Sequence, residues 1–225
     1  MKVVLFGGTG MVGQGVFREC LADSEVEEVL SVVRTACGQQ HPKLKELVVK
    51  DLFEFPDVAG DLSGYDTCIY CLGVTSAGMS EQHYTRITYD LTLRIAQFLL
   101  KQNPGMTFIY VSGQGTDSTE RGRSMWARVK GKTENALLAL PFPAAYMFRP
   151  GFIQPLHGIK SKTRVYRLLY AVASPLYPVL KFLFPDSVTT TERLGCAMLK
   201  AAKHGAPRRI LENRDINALL STVIA

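Results

Sequence analysis

The sequence predicts an α/β fold built on a doubly wound parallel sheet, and three observations carry that prediction. Apolar runs of strand length alternate with helical patterns along most of the 225 residues. The runs are continuous in Val, Ile, Leu and Tyr, as expected for strands covered on both faces. A glycine-rich turn stands between the first run and the first helical pattern, in "VVLFGGTGMVGQGV". Alternation of this kind implies parallel strands joined by right-handed crossovers.

The elements follow in order. Strands are predicted at Lys2–Phe6, Val29–Val33, Leu47–Val49, Thr67–Leu72, Met106–Val111 and Ala145–Phe148, with a weaker seventh near Arg209–Leu211. Helices are predicted from Met11 to Leu21, from Gln82 to Lys101 before the stop signal "NPG", from Ser124 to Leu140 before Pro141, and from Thr191 to Lys203 before "HGAP". The stretch Gly151 to Val188 breaks the rhythm. It is rich in Pro, Tyr, Lys and Arg and reads as a small lid on the substrate side, within one domain spanning 1–225.

Composition narrows the classes. Hydrophobic content of 47% and charged content of 20% are ordinary for a globular domain. The net charge of +6 is clustered: Arg121, Arg123, Arg128, Lys130 and Lys132; Lys160, Lys162, Arg164 and Arg167; Lys200, Lys203, Arg208, Arg209 and Arg214. No dedicated DNA- or RNA-binding motif accompanies these clusters, so solvated helix faces are the expectation and nucleic acid is not an expected partner. The apolar N-terminal run stops at Phe6 with no cleavage-type flank, unlike a signal peptide. The greasiest stretch, Tyr166 to Pro185, contains Arg167, Lys181 and internal prolines, which argues against a membrane span. Five scattered cysteines fit a reducing compartment, and a cytoplasmic protein is expected. Cys68 and Cys71 form a C-x-x-C, but on a strand those positions face opposite ways, so no metal site is expected.

The glycine turn carries the chemistry. Gly7, Gly8, Gly10 and Gly13 satisfy G-x-G-x-x-G and G-x-x-G-x-x-G between the first strand and the first helix. One glycine turns the chain sharply, one lets a pyrophosphate approach the backbone, and one lets helix and strand pack closely. The helix start, at Met11 and Val12, then presents N–H groups and a partial positive charge to phosphates. The second strand ends "SVVRT" with Arg34, where an acid would bind the ribose hydroxyl of NAD. A guanidinium suits a 2′-phosphate, which favours NADP(H) over NAD(H). Asp51 is a candidate for the adenine amino group, with a turn or helix cap as the alternative.

Further stretches complete a resemblance: "CLGVTSAGM", "YTRITYD", "YVSGQGTD", "WARVKGKTENAL", "FRPGFI" and "LENRDI". With the glycine loop they make the chain resemble the atypical short-chain dehydrogenase/reductases over nearly its whole length, in the branch of the Tat-interacting, metastasis-suppressor protein and its bacterial epimerase-like relatives. The resemblance implies a Rossmann sheet ordered 3-2-1-4-5-6 with a dinucleotide across the strand C-ends. Gly7, Gly10 and Gly13 would hold the pyrophosphate, and Cys71, Leu72 and Gly73 would line its adenosine side. Ser112 would bond a substrate oxygen, and Lys130 is the lysine of the Tyr-x-x-x-Lys pair. Arg149, Pro150 and Gly151 would form the turn beside the nicotinamide. Long helices in this fold often pair, so a homodimer is possible.

The pattern breaks at Trp126, which occupies the place of the catalytic tyrosine. A phenol can be tuned to give and take a proton near neutrality, whereas an indole N–H donates a hydrogen bond but does not titrate there. Candidate substitutes are Tyr84 and His83 at the start of the long helix, His157 after the nicotinamide-side turn, Ser112 and Lys130. Two functions follow: an oxidoreductase or epimerase-like enzyme with an unorthodox proton donor, or a nicotinamide-nucleotide sensor that binds without chemistry.

Overall fold

The computed structural model of the protein describes residues 1–159 and 177–221. Its sheet has seven strands in the order β3-β2-β1-β4-β5-β6-β9, all pairs parallel. The strands are β1 (Lys2–Phe6), β2 (Glu28–Val33), β3 (Leu44–Val48), β4 (Thr67–Tyr70), β5 (Thr107–Val111), β6 (Ala144–Arg149) and β9 (Ile210–Glu212). The helices include α1 (Met11–Ala22), the short α2 (Phe55–Val58), α3 (Glu81–Thr85), α4 (Leu91–Gln102), α5 (Met125–Ala139), and, further on, the helices Thr191–His204 and Asn213–Leu219. A π turn over Arg86–Asp90 joins α3 to α4, so the single long helix read from the sequence is continuous but locally widened.

Side chains alternate across the sheet and build two cores. Val4 and Phe6 of β1 join Phe55, Tyr70, Ile95 and Phe108 on one face. Val3 and Leu5 join Val16, Ile69, Phe148 and Leu194 on the other. Cys68 belongs to the first core and Cys71 packs against the second, so the C-x-x-C straddles the sheet. On the second face α1 meets the helix Thr191–His204 closely enough to require glycine on both: a Cβ on Gly15 would lie 2.7 Å from Thr191 O, and one on Gly195 2.8 Å from Glu19 Cγ.

Three elements depart from the sequence reading. β3 runs Leu44–Val48 because the edge strand "LKELV" is only half covered and shows no continuous apolar run. The ends of the 151–188 stretch form a second parallel pair, β7 (Phe152–Gln154) with β8 (Val188–Thr190), whose three-residue strands are too short to carry a period. The centre of that stretch, with Lys160, Lys162, Arg164 and Arg167, lies outside the described residues. The helix Asn213–Leu219 was not foreseen, although its capping box, Glu212 with Asp215, stands in "LENRDI".

The other basic clusters disperse on folding. Arg128 pairs with Glu81 at 2.7 Å, Lys132 lies 4.5 Å over the Tyr89 ring, and Lys203 binds Asp23 at 2.7 Å. Among the described residues, no helix is long and apolar enough to cross a membrane.

Candidate functional site

In a parallel sheet every strand ends at the same edge, and a crevice opens where the strand order reverses. Here the reversal lies between β1 and β4, and a cleft of about 530 Å³ occupies it. Gly7, Gly10, Met11, Val12, Arg34, Cys71, Leu72, Gly73, Ser112, Lys130, Pro150 and Gly151 all line it. Residues scattered over 145 positions of sequence are thus gathered by the C-ends of five strands.

The glycines divide their work. Gly7 takes φ +78°, and a Cβ there would meet the Cys71 carbonyl carbon and the Leu72 nitrogen at 2.7 Å, so the turn is pressed against the end of β4. Gly13 does not line the cleft. A Cβ on it would lie 2.0 Å from Gly7 O, which makes it the residue that seats α1 on the turn. Gly10 is the N-cap of α1 and brings no side-chain hydrogen bond to the helix start. The first turn of the helix therefore offers its N–H groups towards the cleft. A Cβ on Gly10 would meet only Gly7 O, at 3.3 Å, and one on Gly73 or Gly113 would meet nothing within 4 Å. This is bare backbone around a helix start, a cradle that fits a pyrophosphate.

Three expected site residues stand elsewhere. Asp51 accepts a hydrogen bond from Phe53 N at 2.9 Å and caps a 3-10 turn, the alternative weighed for it. The Arg149 side chain is buried away from the cleft. Its Nε is 3.0 Å from Glu134 Oε1 and its Nη1 3.0 Å from Glu212 Oε1, while its Nη2 reaches Ser118 Oγ at 2.5 Å. Only the backbone that follows it, at Pro150 and Gly151, faces the cleft. Trp126 is half-buried on α5, one turn before Lys130 but outside the cleft lining. Its ring edge lies against the loop after β5, 3.6 Å from where a Cβ on Gly115 would stand.

Sequence reasoning missed Glu134, which is fully buried. Ser112 Oγ donates to Glu134 Oε1 at 2.5 Å, and Arg149 grips the same carboxylate. The serine hydrogen is therefore committed to the protein interior and not offered to a substrate oxygen. The signal was present: Glu134 falls on the inward face of α5, four residues after Lys130, and a buried carboxylate demands a cation. Lys130 Nζ itself donates to the backbone carbonyl of Ser112. Burial lowers the Lys130 ammonium to about 8, and the negative charge of Glu134 opposes that fall.

Of the candidate substitute acids, Ser112 and Lys130 line the cleft, and Tyr84, His83 and His157 do not. Tyr84 is buried in the fold at 2% exposure. His83 is an exposed residue of α3, its backbone N–H capped by Ser80 Oγ at 3.2 Å. His157 binds Glu192 at 2.5 Å in a separate hollow beside Arg18 and His41.

No protein-family model matches the chain. Among known sequences, protein FMP52, mitochondrial, of Meyerozyma guilliermondii is 28% identical over 188 residues, 79% of each chain. Protein fmp52-2, mitochondrial, of Aspergillus oryzae is 26% identical over 219 residues, 94% of this chain and 93% of that one. These relatives correct the expectation of a cytoplasmic protein, since they are mitochondrial. The expectation rested on scattered cysteines and on an N-terminal run unlike a secretory signal, and neither distinguishes the cytoplasm from a mitochondrion.

Solved structures agree on the fold. The dTDP-glucose 4,6-dehydratase DesIV of Streptomyces venezuelae, with NAD and TYD bound, superposes at a TM-score of 0.68, with 15% identity over 98% of this chain and 80% of that one. The Bordetella bronchiseptica enzyme WbmF in complex with NAD+ gives 0.66, with 13% identity over 96% and 76%. The short-chain dehydrogenase/reductase YIR035C of Saccharomyces cerevisiae gives 0.65, with 14% identity over 98% of both chains. The fold is the Rossmann fold of these NAD-binding and dehydrogenase/reductase proteins.

Proposed function

We propose that the protein is an NADP(H)-binding member of the atypical short-chain dehydrogenase/reductases, an oxidoreductase or epimerase-like enzyme acting on a small carbonyl or hydroxyl compound. One observation carries the reading: bare glycine backbone, a helix start and Arg34 share a single cleft at the strand C-ends with Lys130. The helix start suits the pyrophosphate. Arg34 suits a 2′-phosphate, because it stands in the cleft where an acid would favour NAD. Lys130 suits the ribose beside the nicotinamide. A bound nicotinamide supplies hydride chemistry, while the protein positions it and manages the proton. The strings "CLG", "VKGKTE" and "FRPG" support the narrower branch of the Tat-interacting, metastasis-suppressor protein. The 151–188 stretch is proposed as the substrate-side lid.

Trp126 favours a second reading, a nicotinamide-nucleotide sensor that binds without turnover. Its indole cannot replace the phenol and stands outside the cleft lining. One set of measurements separates the readings. As the sole tryptophan, Trp126 should transfer its emission energy to bound NADPH. Saturable transfer with NADPH and weaker transfer with NADH is expected, and none with either ends the proposal. Oxidation of NADPH by a panel of aldehydes and α-dicarbonyls then distinguishes enzyme from sensor. Turnover that emerges only in Trp126→Tyr favours the sensor.

A further inference from the structure

We propose that Lys130 is the proton donor of the reaction in place of the missing tyrosine, with Glu134 as the positioning residue that sets its charge. The inference rests on the dinucleotide-binding reading above and adds the identity of the acid.

The cleft leaves few alternatives. Among its lining residues the side chains with a proton to give are Thr9, Arg34, Cys71, Thr75, Ser112 and Lys130. The aliphatic hydroxyls of Thr9 and Thr75 are far weaker acids than an ammonium and do not titrate near neutrality. A guanidinium does not deprotonate in a protein. Burial pushes the Cys71 thiol well up, so it is a very weak acid. The Ser112 hydrogen is held by Glu134 at 2.5 Å, pointing away from any ligand. Of the other substitutes that the sequence offered, Tyr84, His83 and His157 lie outside the lining.

Lys130 remains, and its placement suits the task. An ammonium has three donors, of which the Ser112 carbonyl takes one. The other two are left for a ligand on the cleft side. An acid works best when its own titration lies near the working pH, and partial burial moves Lys130 in that direction. Glu134 acts from one turn further along α5 through the same serine: its carboxylate holds Ser112 Oγ while the Ser112 carbonyl holds Lys130. The charge acting on Lys130 is that of Glu134 on α5, to which Arg149 of β6 is bound. Arg34 after β2 and the Cys71 thiol after β4 share the cleft lining with it. The balance is simple. A reduced nicotinamide, when bound, would supply hydride to the carbonyl carbon, and the C=O π pair would go to oxygen. The Lys130 ammonium gives that oxygen a proton and becomes a neutral amine, which regains a proton from water.

The test uses the full chain and reads Lys130 before it reads turnover. Reductive methylation with ¹³C-formaldehyde labels the lysines, and the Lys130 signal is assigned by its loss in Lys130→Arg. A titration midpoint between about 7 and 9 is expected for Lys130, falling further in Glu134→Gln as the carboxylate charge is removed. A midpoint at the ordinary lysine value overturns the proposal. NADPH oxidation by the aldehyde and dicarbonyl panel should fall at high pH with the same midpoint. Lys130→Arg should lose about 10²–10⁴ in rate while still quenching with NADPH. Binding of NADPH without turnover of any carbonyl sinks the proton donor and leaves the cofactor reading standing. Absence of NADPH binding in the wild type sinks that reading itself. Should Glu134→Gln fail to fold, the Lys130 midpoint in the wild type and the Lys130→Arg rate decide alone.

Discussion

Ser112 and Glu134 meet across 2.5 Å in the interior, a hydroxyl at the end of β5 donating to a carboxylate on α5 that is sealed from solvent. Arg149 closes the arrangement from β6 and passes it to Glu212 at 3.0 Å. Three elements are therefore pinned at one point directly beneath the cleft. The pin keeps the serine turned inwards and fixes the carbonyl that Lys130 uses.

Removing the carboxylate should expose how much this pin matters. Glu134→Ala leaves the Arg149 guanidinium buried without its main counter-charge, and breaking a buried pair from one side costs about 3–5 kcal/mol. Replacing both partners with apolar residues of similar volume, Glu134→Leu with Arg149→Met, should recover most of that loss. Urea unfolding of the two single variants and the double measures it. Single-variant losses below about 1 kcal/mol would mean that water reaches the pair.

Gly13 and Gly10 should fail in different ways. A Cβ on Gly13 collides with the Gly7 carbonyl at 2.0 Å, backbone against backbone, with no flexible side chain to yield. Gly13→Ala should therefore destabilise the fold by about 1–3 kcal/mol as well as losing the cofactor. On Gly10 the same methyl meets only Gly7 O at 3.3 Å and otherwise points into the cleft. Gly10→Ala should lower the melting temperature less than Gly13→Ala does and lose about tenfold or more in NADPH affinity, since it intrudes where phosphate approaches. Thermal melts with and without NADPH distinguish the two; equal loss of stability in both would refute the division of roles.

The sheet and the glycine turn were legible because their signals are local and redundant. Continuous apolar runs mark strands buried on both faces, and β1, β2, β4, β5 and β6 lie within two residues of the expected spans at every boundary. β3 and the β7–β8 pair were less legible because exposure or brevity removes the period. The site was legible where a residue's backbone does the work, as at Gly7, Gly10, Gly73 and Gly151. It was illegible where a side chain has two possible directions. Nothing in "FRPG" says that Arg149 turns inwards, and nothing in "YVSG" says that Ser112 donates to a helix 22 residues on. Those directions follow from Glu134, whose partners are set by packing between distant strands.

Lys203 ties the end of α1 to the helix Thr191–His204, with Nζ 2.7 Å from Asp23 Oδ2 and in contact with Glu25. Burial works against both charges, but the bonds between them prevail: the Asp23 carboxyl falls below its ordinary value and the Lys203 ammonium rises above its own. The signs fix the pH window. A depressed acid contributes stability above its unfolded value of 3.8, lost as pH falls through the folded value. A raised base contributes below its unfolded value of 10.5, lost as pH climbs through the folded value. Lys203→Met should cost about 1 kcal/mol at neutral pH, and the gap to wild type should shrink towards zero below the folded Asp23 value. Urea midpoints measured from pH 2 to 8 test this, and a gap that does not change with pH contradicts the pairing.

The proposed reading makes Arg34 the residue that chooses between the two pyridine coenzymes. It follows β2 at the cleft wall, and no acid stands beside it in "SVVRT" to repel a phosphate. A charge-assisted bond to a 2′-phosphate contributes about 1.5–3 kcal/mol, equivalent to roughly 10- to 100-fold in affinity. Arg34→Asp removes that bond, sets a negative charge against the phosphate, and offers a carboxylate to the ribose hydroxyls of NADH. The expected outcome is a reversal of preference, with NADPH binding weakened by at least about tenfold and NADH binding held or improved. Emission transfer from Trp126 gives both dissociation constants in a single series. A variant that loses NADPH and NADH in equal measure would mean that Arg34 stacks on the adenine and does not read the 2′ position at all.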